Sequence, residues 1–223
     1  INGCLVGSEM CIRDRFNKDN PYGLQIHKYD NTQPETLEYL SRIRKVLDKY
    51  DAISVGEIVS ENPLNVVGEY ANDQRLHMAY CFEFLSEDFN FSDTNKIVDQ
   101  FFHNNPNSWP CWSFSNHDSM RIASRVNKPC REIMQKLMEL KGNICIYQGE
   151  ELGLQETEVQ FKDLQDPFGK NFWPEFKGRD GCRTPMPWNS NEINLGFSEK
   201  KSWLPVNPDY AIKSVERQQQ NPD

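Results

Sequence analysis

Apolar positions change their period several times along this chain, and each change predicts an element. Over "NTQPETLEYLSRIRKVLDKY", residues 31–50, Leu37, Leu40, Ile43, Val46 and Leu47 recur at helical spacing. That predicts a helix capped by Asn31 or Thr32, with Pro34 in its first turn. "AISVGEI", residues 52–58, is nearly continuous in apolar and β-branched residues, the pattern of a strand buried on both faces. The alternation then repeats. "LHMAYCFEF" (76–84) reads as a strand, "DTNKIVDQFFHN" (93–104) as a helix and "WPCWSFSN" (109–116) as a strand. "REIMQKLMELK" (131–141) is the next helix and "NICIYQGEEL" (143–152) the next strand. Strands alternating with helices across short connections predict an α/β class with a parallel sheet under helical cover.

The rhythm then stops. From Glu151 to about Pro208 the chain has little period and much Pro, Gly and Trp, as in "DPFGKNFWPEFKGRDGCRTPMPW". So long a loop in a compact domain is either functional or disordered. Phe168, Phe172, Trp173, Phe176 and Trp188 favour order, because disordered segments are poor in aromatics. The expectation is an ordered loop folded over one end of the sheet, followed by a helix starting in "DYAIKSVERQQQNPD".

Composition excludes several classes. A net charge of −8 without a basic stripe argues against a nucleic-acid surface. No run of about 18 apolar residues occurs, so no membrane span is expected. Residues 4–15, "CLVGSEMCIRDR", resemble a translated sequencing adapter, so residues 1–15 are set aside as non-native and the native chain is expected from near Phe16. Without Cys4 and Cys11, the cysteines are Cys81, Cys111, Cys130, Cys145 and Cys182. They are odd in number, widely spaced and free of any C-x-x-C, which fits neither a disulfide framework nor a zinc site and points to a reducing, cytoplasmic compartment. His27, His77, His103 and His117 show no metal-ligand spacing, so neither metal nor cofactor is expected.

Candidate chemistry gathers at strand ends. Glu57 closes "SVGE" and Asp118 ends "SFSNHD", each just past a predicted buried strand. In parallel α/β folds such positions converge on one rim, where crowding and desolvation can raise a carboxyl pKa enough for acid catalysis. Two carboxylates with a neighbouring histidine suit proton donation plus stabilisation of a cationic transition state, which glycosidic cleavage requires. The plainer readings are a loop residue for Glu57, a helix cap for Asp118 and a hydrogen-bonded core residue for His117. Glu69, in "VVGEY", has no convincing strand before it and receives no role.

Together "SVGEI", "FSNHD", "IYQGEELGL", "DLQDPFG", "FWPEFKGRDGCRTPMPW" and "NPYGLQIHKYD" resemble the α-glucosidases of glycoside hydrolase family thirteen, the α-amylase family. The likeness runs from about Asp19 to the end. It implies a (β/α)8 barrel and retaining chemistry on an α-linked glucose of a short oligosaccharide. Carried over by position, Glu57 matches the general acid/base and Asp118 the third carboxylate, which steadies the oxocarbenium-like sugar and holds its hydroxyls. His117 matches the histidine that hydrogen-bonds the same glucose, and Arg183 the loop arginine beside it. The plainer reading of Arg183 is a salt bridge within the loop. The family's nucleophile, an Asp on the fourth strand, has no counterpart; Asp30 lacks a preceding strand. Residues 16–223 are therefore expected to be the C-terminal half of the barrel, about strands five to eight, inactive alone. Two alternatives remain: a glucosyltransferase or sucrose isomerase on the same barrel, and a non-catalytic, transporter-associated relative.

Overall fold

The computed structural model describes residues 32–58, 60, 62–86 and 89–220. The suspected adapter, Asp30 and Asn31 lie outside the described residues. The chain divides into two compact units, residues up to Ser113 with Leu137–Cys145, and Phe114–Lys136 with Ile146 onward.

The first unit is built on a parallel sheet in sequence order. Helix α1 (Pro34–Leu47) leads to β1 (Val55–Glu57), α2 (Pro63–Tyr70), β2 (Met78–Cys81), α3 (Thr94–Asn104) and β3 (Pro110–Trp112); β4 (Asn143–Ile144) completes the sheet. Pairing is Gly56 with Ala79, Tyr80 with Cys111 and Trp112 with Ile144, and every pair is parallel. The parallel α/β expectation holds. Its core centres on Trp112, fully buried, with the rings of Phe84 and Phe101 at 4.9 and 5.5 Å. The Trp112 indole N–H donates to the Lys141 carbonyl at 2.7 Å, so the large ring is buried without an orphaned donor.

Details differ from the periodicity. The N-cap of α1 is Gln33, whose side chain makes no capping bond; Thr32 sits at φ 52°, and Pro34 begins the helix. Of the stripe on α1 only Leu40 is buried, while Ile43 and Val46 are exposed. Helix α2 was not expected at all. Pro63 opens it, and it buries Leu64, Val67 and Tyr70. The strands are short, because the apolar run after β2 curls into a 3-10 turn at Phe82–Leu85. The run after β4 bends away through Gly149 and Gly153, both at positive φ, where a side chain would be strained.

The second unit holds α4 (Ile122–Arg125), most of α5 (Cys130–Met138), α6 (Pro167–Asn171) and α7 (Val215–Gln220). The long aperiodic segment is ordered, as its aromatics implied. It folds on two small cores, Leu152, Leu154, Met186, Leu195 and Tyr210 in one, and Val159, Leu164 and Leu204 against Trp173 in the other. The predicted final helix divides into a 3-10 turn, Pro208–Lys213, capped by Asn207, and α7. Among the described residues no helix is long and apolar enough to cross a membrane.

Candidate active site

Glu57 is the last residue of β1, half-buried, at the carboxyl end of its strand and in register with Tyr80 of β2. Hydrogen bonding to Cys145, then burial, raises the Tyr80 phenol above its ordinary range, with Glu57 adding to the effect. Gly56 packs against Leu76: an added Cβ would lie 2.4 Å from the end of the Leu76 side chain, which would have to move.

Asp118 belongs to the second unit and is held from several directions. Asn116 shapes its turn: Asn116 Oδ1 accepts the N–H groups of Asp118 and Ser119, each at 2.9 Å, and the Ser119 hydroxyl at 2.9 Å. This local side chain–backbone bonding replaces a helix start, and Arg121 stands at the N-cap position of α4 without a side-chain capping bond. The capping role considered for Asp118 is therefore not the one it plays.

The carboxylate is 7% exposed and shared among three cationic or polar partners. Arg183 Nη2 donates to Oδ1 at 2.8 Å and Arg179 Nη1 to the same oxygen at 3.1 Å. His117 Nε2 stands 3.1 Å from Oδ2. Arg183 Nε also donates to the His117 carbonyl at 2.7 Å, so its fork spans both residues of the pair. The His117 ring is 53% exposed, which excludes the core-histidine reading and leaves a face open to ligand. Three of the expected site residues, Asp118, His117 and Arg183, are thus in direct contact. Glu57 lies in the other unit.

Arg179 was missed by the sequence reading. Its Nε and Nη2 donate to Asp166 at 2.9 and 3.0 Å, its N–H to Asp166 at 2.8 Å, and its guanidinium lies 5.5 Å from the Phe168 ring centre. Burial works to raise the Asp166 carboxyl, but hydrogen bonds from Arg179 outweigh it and hold the group below the ordinary carboxylate range. Asp180, fully buried, accepts the N–H groups of Gln165 and Asp166 at 2.6 and 2.8 Å. Asp118 and Asp166 thus face Arg179 and Arg183, which offsets the cost of desolvating those two carboxylates. The only available signal was the string "GRDGCR", in which the family resemblance singled out the second arginine and not the first. No cluster of His, Cys, Asp and Glu suited to a metal occurs among the described residues.

The family profile for the α-amylase catalytic domain matches residues 8–223. A probable α-glucosidase of Rhizobium meliloti (strain 1021) is 44% identical over 214 residues, covering 91% of this chain and 39% of that protein. The crystal structure of the α-glucosyl transfer enzyme XgtA superposes with a TM-score of 0.85 at 46% identity, covering 92% of this chain and 40% of that one. A mutant of the trehalulose synthase MutB gives a TM-score of 0.72 at 26% identity, over 86% of this chain and 41% of that one. The chain therefore spans about two fifths of these relatives' lengths, and it belongs to the α-amylase catalytic-domain family.

Proposed function

We propose that this chain carries the acid/base and the sugar-holding groups of a retaining α-glucosidase acting on short oligosaccharides or disaccharides. The observation that supports it most is the Asp118 carboxylate, fixed by Arg179, Arg183 and His117. A carboxylate so preorganised stabilises positive charge developing on a pyranose without having to reorient as the charge appears. Glu57, at a strand end, protonates the glycosidic oxygen as its bond to C1 breaks. A nucleophilic carboxylate, supplied from outside residues 32–220, bonds to C1 from the opposite face. Glu57 then takes a proton from water as that water displaces the enzyme carboxylate. His117 and Arg183 hold the hydroxyls of the same glucose. Free thiols at Cys81, Cys111 and Cys182 fit the cytoplasmic location that belongs to this proposal.

Glucosyl transfer is a second reading, favoured by the relative XgtA, whose structure is described as that of a transfer enzyme. The two share a covalent intermediate and differ in whether water or a sugar hydroxyl accepts the glucosyl group. Exclusion of water decides between them. Product analysis of the full-length protein on maltose and sucrose separates the two: free glucose marks hydrolysis, new disaccharides or longer products mark transfer. In the same protein Glu57→Gln is expected to lower kcat on maltose by about a hundred- to ten-thousandfold, with maltose still binding. Unchanged turnover would remove Glu57 from the acid role.

A further inference from the structure

Three residues before Asp118 the chain enters a buried polar cluster that the chemistry above does not use. Glu150 is 3% exposed. Its Oε2 accepts the Tyr147 N–H at 3.2 Å, the Ser115 hydroxyl hydrogen-bonds its carboxyl, and Oε1 is buried without a hydrogen-bond partner among the described residues. Ser115 Oγ also accepts the Ile122 N–H at 2.8 Å, so this serine is held on both sides of the His117–Asp118 turn. The same cluster reaches the arginine arm. Tyr147 Oη and Arg121 Nη2 both donate to the carbonyl of Cys182, the residue before Arg183, at 3.0 and 2.9 Å. Arg121 Nη1 donates to Gln148 at 2.7 Å, and its guanidinium lies 5.0 Å from the Tyr147 ring centre.

We propose that Glu150 is a positioning residue for the sugar clamp. Through Ser115 it fixes the turn bearing His117 and Asp118, and through Tyr147 it fixes the carbonyl from which Arg183 departs. The inference rests on the glycosidase reading of Asp118. Glu150 touches no reacting atom; it keeps the two arms on Asp118 in one geometry.

The cluster also makes that geometry sensitive to pH. Burial pushes the Glu150 carboxyl up to about 7, against the Ser115 and Tyr147 hydrogen bonds and the charges of Arg125 and Arg121. Those two arginines face it from the segment after Asp118. From α5, Cys130 donates its thiol to the Glu150 main-chain carbonyl at 3.3 Å. Because the folded state holds this proton more tightly than the unfolded chain does, the group's contribution to stability is fully present below the ordinary glutamate pKa. It is lost as pH rises through about 7. Ionisation places charge on an oxygen with nothing to receive it, which loosens the cluster.

The test uses the full-length protein with Glu150→Ala and Glu150→Gln, and Asp118→Asn as a reference. Glu150→Ala is expected to reduce kcat/KM on maltose by about ten- to a hundredfold and to weaken glucose binding, the scale of a misplaced reacting group. Glu150→Gln, neutral and of the same shape, restores most of that. It also removes the fall in unfolding midpoint between mildly acidic and mildly alkaline pH. Wild-type kcat/KM and glucose affinity in Glu150→Ala, with Asp118→Asn impaired, would overturn the positioning role alone. If Asp118→Asn is also without effect, the glycosidase reading falls and takes this inference with it.

Discussion

Asp118 would be a costly residue in isolation: a carboxylate 7% exposed loses most of its hydration. Its cost is offset by Arg179 and Arg183 on one oxygen and His117 on the other. Arg179 is the joint of the arrangement, because a single guanidinium serves Asp166 with Nε and Nη2 and Asp118 with Nη1. An ammonium has no such planar fork. Arg179→Lys is therefore expected to fail as a conservative change, and Arg179→Ala to cost about 3–5 kcal/mol by stranding buried Asp166. Denaturant unfolding of the two variants measures this. Stability near wild type in either would show that Asp166 finds its compensation elsewhere. At this scale the sequence singled out Asp118, His117 and Arg183, and the structure brings the three into contact. The sequence concealed Arg179 and Glu150, whose links to Asp166 and Asp118 and to Ser115 join positions more than ten residues apart in the chain, and adjacent spacing carries no trace of those.

Elements were legible where a single face is apolar over several turns and obscure where local chemistry competes. The helices α1 and α3 followed from their periodicity. Helix α2 did not, because its apolar positions sit beside β-branched Val66 and Val67 and an interior glycine. That glycine has a packing reason. A Cβ on Gly68 would lie 1.9 Å from Asn105 Oδ1, and the Asn105 amide donates to the carbonyls of Leu64 and Phe101 at 3.1 Å each. These bonds tie α2 to α3. Gly68→Ala gains helix propensity but must expel Asn105, so a net loss of about 1–3 kcal/mol is expected. A thermal midpoint equal to or above wild type would mean that Asn105 moves without cost. The strands were overextended in the reading for a related reason: a continuous apolar run does not say where pairing ends, and glycines at positive φ end it after β4.

At the scale of the whole molecule, strand alternation identified a parallel α/β architecture. The order β1-β2-β3-β4 with every pair parallel agrees with it. The family match extends over residues 8–223, and the relatives quoted are longer than this chain by more than twofold. The central claim is that Glu57 is the acid/base of a retaining reaction on an α-glucosyl group. It is tested most directly in the full-length protein carrying Glu57→Ala, given an aryl α-glucoside whose leaving group needs no acid, together with sodium azide. The account predicts that azide accelerates turnover and that the product is α-glucosyl azide, because azide displaces the covalent intermediate without a general base. No acceleration, or β-glucosyl azide as the product, would contradict it.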